Sequence, residues 1–173
     1  MKNIASIAAL ILTSYVAIAQ QTKNPVSTVL RDMLPRQQKR LTEAVDEMPA
    51  AKFSYKPTPE QISFAHLVMH ITESNNHLCS LLSDVPAPKA SELKETDAKE
   101  KLAAALQESF DYCGKAIASM DDARLGDTVK GHGGEPVPRA WAAIALTNDW
   151  ADHYSAAAMY LRLNGMLPPT AKK

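Results

Sequence analysis

The sequence predicts an all-α protein, an up-down bundle of four helices, and three observations support it. The 173 residues include only 6 glycines and 6% aromatics, whereas Ala, Leu, Glu, Lys and Met, all strong helix formers, are plentiful. Apolar residues recur at helical spacing in four stretches, each bounded by prolines or by a glycine-rich run. No alternating strand pattern survives beyond a short candidate piece from Arg124 to Val129.

The first helix is expected from Ser27, a capping residue, with Val29, Leu30, Met33, Leu34, Leu41, Val45 and Met48 on its apolar face and Pro49 as its stop. Pro35 lacks an amide proton and clashes with the preceding turn, so a kink or a fresh start is expected there. The second is expected from Glu60 to about Ser83, with Thr58 as cap and Pro59 at the first position. Ile62, Leu67, Ile71, Leu78 and Leu82 form its apolar stripe. A charged linker, Lys89 to Asp97, precedes the third helix, marked by Leu102, Leu106, Phe110, Cys113, Ile117 and Met120. The glycines from 126 to 134 cannot continue it. Pro136 and Pro138 are expected to open the fourth helix, which runs to Asn164 and ends on Gly165 in the left-handed conformation.

Residues 1–19 read as a secretory signal: Lys2, an apolar run from Ile4 to Ile18, and Ala17-Ile18-Ala19 as a small-x-small cleavage site. Export to the periplasm or the extracellular space is therefore expected. Residues 20–26 read as a disordered N-terminus and residues 27–169 as one bundle domain. Basic and acidic residues number 19 each. Such a balance lacks the field that draws in nucleic acid or anionic lipid, so no nucleic-acid partner is expected, and no membrane attachment after signal cleavage. Cys79 and Cys113 form an even pair in an exported chain, which fits either a disulfide between two helices or two separately buried thiols.

Chemistry concentrates in two histidine-bearing helices. Asp149 and His153 are four residues apart and share one face of the fourth helix; His66 and His70 repeat that spacing in the second. Packing these helices together brings His70, Asp149 and His153 into reach of one divalent ion, with a coordination side left open for water or substrate. His66 and His77 are the candidate proton-handling residues beside that open side. His132 lies among glycines and reads as an exposed loop residue. No nucleophile elbow or phosphate loop is present.

The segments Tyr55-Lys-Pro57-Thr-Pro59-Glu-Gln61-Ile-Ser63-Phe64, His70-Ile-Thr-Glu-Ser-Asn75, Asp152-His153-Tyr154 and Tyr160-Leu161-Arg162-Leu-Asn164-Gly165 resemble the DinB-like (damage-inducible) superfamily of metal-binding four-helix bundles. That resemblance implies one histidine from the second helix and two, four apart, from the last, holding nickel, zinc or a similar ion. His70 and His153 match two of these positions, and Asp149 stands at the third. A carboxylate there shifts preference toward harder ions, so zinc, nickel and manganese are all candidates.

The resemblance implies a metal-dependent hydrolase or transferase acting on a small molecule. Its rival is a non-catalytic bundle that binds a ligand or partner without a functional metal. A homodimer is compatible with either.

Overall fold

The computed structural model describes residues 23–89 and 92–172. The proposed signal and its cleavage site lie outside the described residues. The four helices are α1 (Pro25–Glu47), α2 (Phe64–Leu82), α3 (Lys99–Ala118) and α4 (Arg139–Leu163). Three short 3₁₀ turns at Ala50–Lys52, Asp122–Arg124 and Pro169–Ala171 complete the helical parts. Among the described residues, no helix is long and apolar enough to cross a membrane.

Contacts along the helices fix their directions. Asn75 meets Ser109 and Cys79 meets Cys113, so α2 and α3 run parallel. His70 faces His153, Asn75 faces Trp150 and Leu81 faces Arg139, so α4 runs against α2. The Lys99 ammonium at the start of α3 donates to the carbonyls of Asp46 and Met48 at the end of α1, making those two helices antiparallel. The order is therefore up, down, down, up, with α2 and α3 consecutive but parallel. α1 and α2 each pack against both α3 and α4.

Helix starts differ from expectation where distant groups supply the caps. α1 begins at Pro25, two residues before Ser27, so Pro25 and Val26 are helical rather than part of a disordered N-terminus. The Asp122 carboxylate accepts the Val26 and Ser27 amide protons at 2.6 and 3.0 Å, satisfying donors that every helix N-terminus exposes. α1 continues through Pro35 without a break. α2 begins at Phe64, not Glu60: the Ser63 hydroxyl accepts from the His66 amide at 3.0 Å and donates to Glu95 at 2.6 Å. Thr58 and Pro59 form a turn instead, closed by the Gln61 amide on the Thr58 carbonyl at 3.2 Å.

Pro136 and Pro138 lead into α4 as expected, Pro138 as the N-cap directly before Arg139, but neither is itself helical. They sit in β2 (Pro136–Pro138), which pairs antiparallel with β1 (Thr128–Lys130), Val129 opposite Val137. Prolines are tolerated in such an edge strand because one side needs no ladder donor. Gly134, with φ +83°, takes the left-handed turn position of this hairpin. At the other end of α4, Gly165 adopts φ +76° and the Met166 amide bonds back to the Leu161 carbonyl at 3.0 Å, as its place after the helix predicts.

The core is one cluster in which Trp150, Phe64, Phe110, Leu41, Ile71 and Leu146 are fully buried. Cys79 and Cys113 are disulfide-bonded inside it, Cα atoms 5.2 Å apart, joining α2 to α3.

Candidate metal centre

Helix periodicity and the antiparallel crossing of α2 and α4 together build the site. Asp149 and His153 occupy one face of α4 a single turn apart. The Trp150 indole, next to Asp149, donates to Asn75 Oδ1 at 2.7 Å and so ties that turn to α2, which carries His70. As a result, ligand atoms of His70, Asp149 and His153 all lie within 4.8 Å of one another. The two imidazole rings have centroids 4.8 Å apart and planes at 70°. Ligands about 2.0–2.2 Å from a shared ion lie ~3–4 Å apart, so closing the set takes only small side-chain shifts.

Two atoms of this group mark where an ion fits. Asp149 Oδ2 and His153 Nδ1 are 3.0 Å apart, near enough for an ion pair. Both are buried, yet neither completes an aligned hydrogen bond. Buried polar atoms without partners are costly and uncommon, and here both belong to the same acid–imidazole pair. Burial works against charge on His153; the adjacent Asp149 carboxylate, helped by Asp152, more than offsets it and raises the imidazole pKa above its ordinary value. Two imidazoles and a carboxylate form a donor set suited to a divalent ion that accepts both nitrogen and oxygen.

A cavity of about 860 Å³ opens over His70 and Asp149. Glu73 and His77 of α2 and Trp141, Asn148 and Asp152 of α4 form its walls, and His132 closes one side. The hairpin carries His132 against His77, ring centroids 5.6 Å apart. His77 Nε2 is buried without a partner. Desolvation, together with the His132 imidazole and against Glu135, holds the His77 pKa below its ordinary value.

His77 thus lies where its helical spacing from His70 placed it, on the cavity wall. His66 does not line the cavity. Its Nδ1 sits 2.8 Å from Glu95 Oε1, in the group that starts α2, which removes it from the candidate proton-handling residues. Sequence reasoning passed over Glu73, Trp141, Asn148 and Asp152, although three of them fall at helical spacing from a ligand: Glu73 three after His70, Trp141 eight before and Asp152 three after Asp149. His132 carries no such signal, because only the hairpin brings it to the cavity.

The arrangement is a four-helix bundle whose second and fourth helices present convergent metal-type donors. Residues 33–157 match the DinB superfamily. The chain belongs to that superfamily. Among solved structures, a DinB-like protein from Bacillus subtilis is similar over 84% of this chain and 99% of its own, with 16% identity and a TM-score of 0.66. A conserved protein from Enterococcus faecalis is similar over 80% and 96%, with 19% identity and a TM-score of 0.63. A mycothiol-dependent maleylpyruvate isomerase, in a histidine-to-alanine mutant form, is similar over 76% of this chain and 59% of its own, with 14% identity and a TM-score of 0.58. These likenesses establish the fold. No curated protein matches the sequence.

Proposed function

We propose that this chain is an exported metal-dependent enzyme of hydrolase or transferase type, with His70, Asp149 and His153 holding one divalent ion at the inner end of the cavity. The observation that carries this reading is the convergence of the three side chains, with Asp149 Oδ2 and His153 Nδ1 buried there and facing only each other. Bound there, a divalent ion supplies Lewis acidity and lowers the proton affinity of a coordinated water or thiol. His77, which lines the same cavity and whose pKa burial lowers, would be the side chain placed to handle a proton there. The cavity is open to solvent and has room for a small-molecule substrate. Export is supported by the signal-like residues 1–19 and by the Cys79–Cys113 bridge, a bond that persists in oxidising compartments.

Purified protein loaded with zinc, nickel or manganese and then desalted is expected to retain one ion per chain, and His153→Ala to retain none. Undiminished metal in His153→Ala removes the assignment. A wild-type chain that takes up no ion supports instead the non-catalytic bundle, for which Asp149 in place of the superfamily histidine is the specific sign.

A further inference from the structure

The glycine-rich turn of the hairpin, Gly131-His132-Gly133-Gly134-Glu135, takes no part in the inner triad, yet it reaches the same cavity. It leans His132 on His77 of α2, with ring centroids 5.6 Å apart and planes at 81°. Both histidines line the cavity. His77 Nε2 is buried without a partner, a costly state for a polar atom.

The turn is shaped around a carboxylate. A Cβ on Gly131 would lie 2.4 Å from Glu135 Oε1, and one on Gly133 would lie 2.9 Å from Oε2. Glycine at both positions, on either side of His132, thus leaves the room into which the Glu135 carboxylate folds back. Among the described residues that carboxylate enters no ion pair. Burial and then the His132 imidazole lower the His77 pKa, while Glu135 works against them, so both hairpin groups lie within electrostatic reach of His77. A lowered pKa also favours neutral imidazole, the form that ligates a metal.

We propose that His77, His132 and Glu135 form a second divalent-ion site, on the hairpin side of the cavity, whose ion clasps the hairpin to α2. Two imidazoles and a carboxylate suit zinc or nickel. Two imidazoles on one tetrahedral ion have centroids ~5 Å apart, close to the spacing found. Among the described residues, only the inner triad has three such ligand atoms within 4.8 Å of one another. The outer set closes by rotation of His132 and Glu135, both exposed, so its ion is held more weakly and is lost on desalting. The site does not depend on an ion at the inner triad. Filling it occupies the imidazole that the metal-centred reading gives to proton handling, so the outer ion restrains that chemistry rather than serving it.

Zinc alone is the probe, added at equilibrium to purified protein while the side-chain nitrogens of its five histidines are followed by NMR. Up to about 100 µM free zinc, the wild type should take up two equivalents, the first shifting His70 and His153 and the second shifting His77 and His132. His132→Ala should lose the second equivalent and keep the first, whereas His153→Ala should lose the first and keep the second. Glu135→Gln keeps the shape, removes the charge and should weaken the second equivalent about tenfold. The outer site is overturned if no zinc shifts His77 and His132 together, if the second equivalent persists in His132→Ala, or if Glu135→Gln binds it unchanged. A wild type that takes up one equivalent and shifts only His77 and His132 sinks the metal-centred reading and leaves the outer site standing.

Discussion

The indole N–H of Trp150 donates to Oδ1 of Asn75 across 2.7 Å, and both residues are fully buried. The amide of Asn75 in turn donates to the Ser109 hydroxyl at 2.9 Å, so one side chain joins α2, α3 and α4. This bond lies one residue from Asp149 on α4 and five from His70 on α2, and it sets how those helices face each other at the triad. Replacing Asn75 with Leu keeps the volume but leaves the buried indole donor unpaired, at a cost of about 1–3 kcal/mol. Asn75→Leu should lower the urea midpoint and also weaken zinc binding by about tenfold, as loss of a supporting hydrogen bond does at other metal sites. Lost stability with unchanged zinc affinity would show that the network serves the fold alone.

The Cys79–Cys113 bridge closes a loop with a sequence separation of 34 and joins the two parallel helices α2 and α3. Restricting an unfolded chain by a loop of that size contributes about 3–4 kcal/mol. The paired variant Cys79→Ala, Cys113→Ala should therefore unfold at clearly lower urea, and dithiothreitol should destabilise the wild type but not the variant. An equal response of both proteins to dithiothreitol would contradict this role.

How much of this was legible in the sequence depended on whether a signal was local. The apolar periods located all four helices, and Gly165 marked the end of α4, because burial of one face and relief of a left-handed turn are read within a few residues. The i, i+4 pair Asp149 and His153 was legible for the same reason, and its meeting with His70 followed from packing two such helices. Boundaries set from afar were not legible. Asp122 caps α1 across 96 residues, and Glu95 fixes the start of α2 across 32 through Ser63. Thr58-Pro59 has the local chemistry of a helix start, but Ser63 has the better partners. His66 followed the same logic: its spacing matched a ligand pair, while Glu95 claimed its ring. His132 reached the cavity only through a hairpin whose strands hold three residues each and two prolines.

The Ser63–Glu95–His66 group gives the fold a pH-dependent element. Hydrogen bonds from the Ser63 hydroxyl and then from His66 hold the Glu95 carboxyl below its ordinary value of 4.5. A depressed carboxyl favours the folded state while ionised. Its contribution is present above the ordinary value and is lost as pH falls through the lowered one. Glu95 is half-exposed, so solvent screening keeps the effect to ~0.5 kcal/mol. Wild type should exceed Glu95→Gln in urea midpoint at pH 7, and the gap should narrow as the pH falls below the ordinary carboxylate range. A gap that persists unchanged in acid would assign the difference to packing rather than to this titration.

Asp149 is the residue that distinguishes this centre from the three-histidine pattern implied by the superfamily resemblance. Its carboxylate stands 3.0 Å from His153 Nδ1 and contributes the only negative charge of the triad. An oxygen donor with full charge favours harder ions, whereas a third imidazole favours the softer end of the divalent series. Asp149→His should therefore tighten nickel and zinc relative to manganese, by about tenfold in the ratio of affinities if the new ring reaches the same point. Asp149→Asn keeps the shape and removes the charge, and it should weaken all three ions without favouring nickel over manganese. Competition titrations with a chelating dye measure both ratios directly. If Asp149→His leaves the ratio of nickel to manganese affinity where the wild type has it, the carboxylate does not touch the ion, and the centre reduces to the two imidazoles.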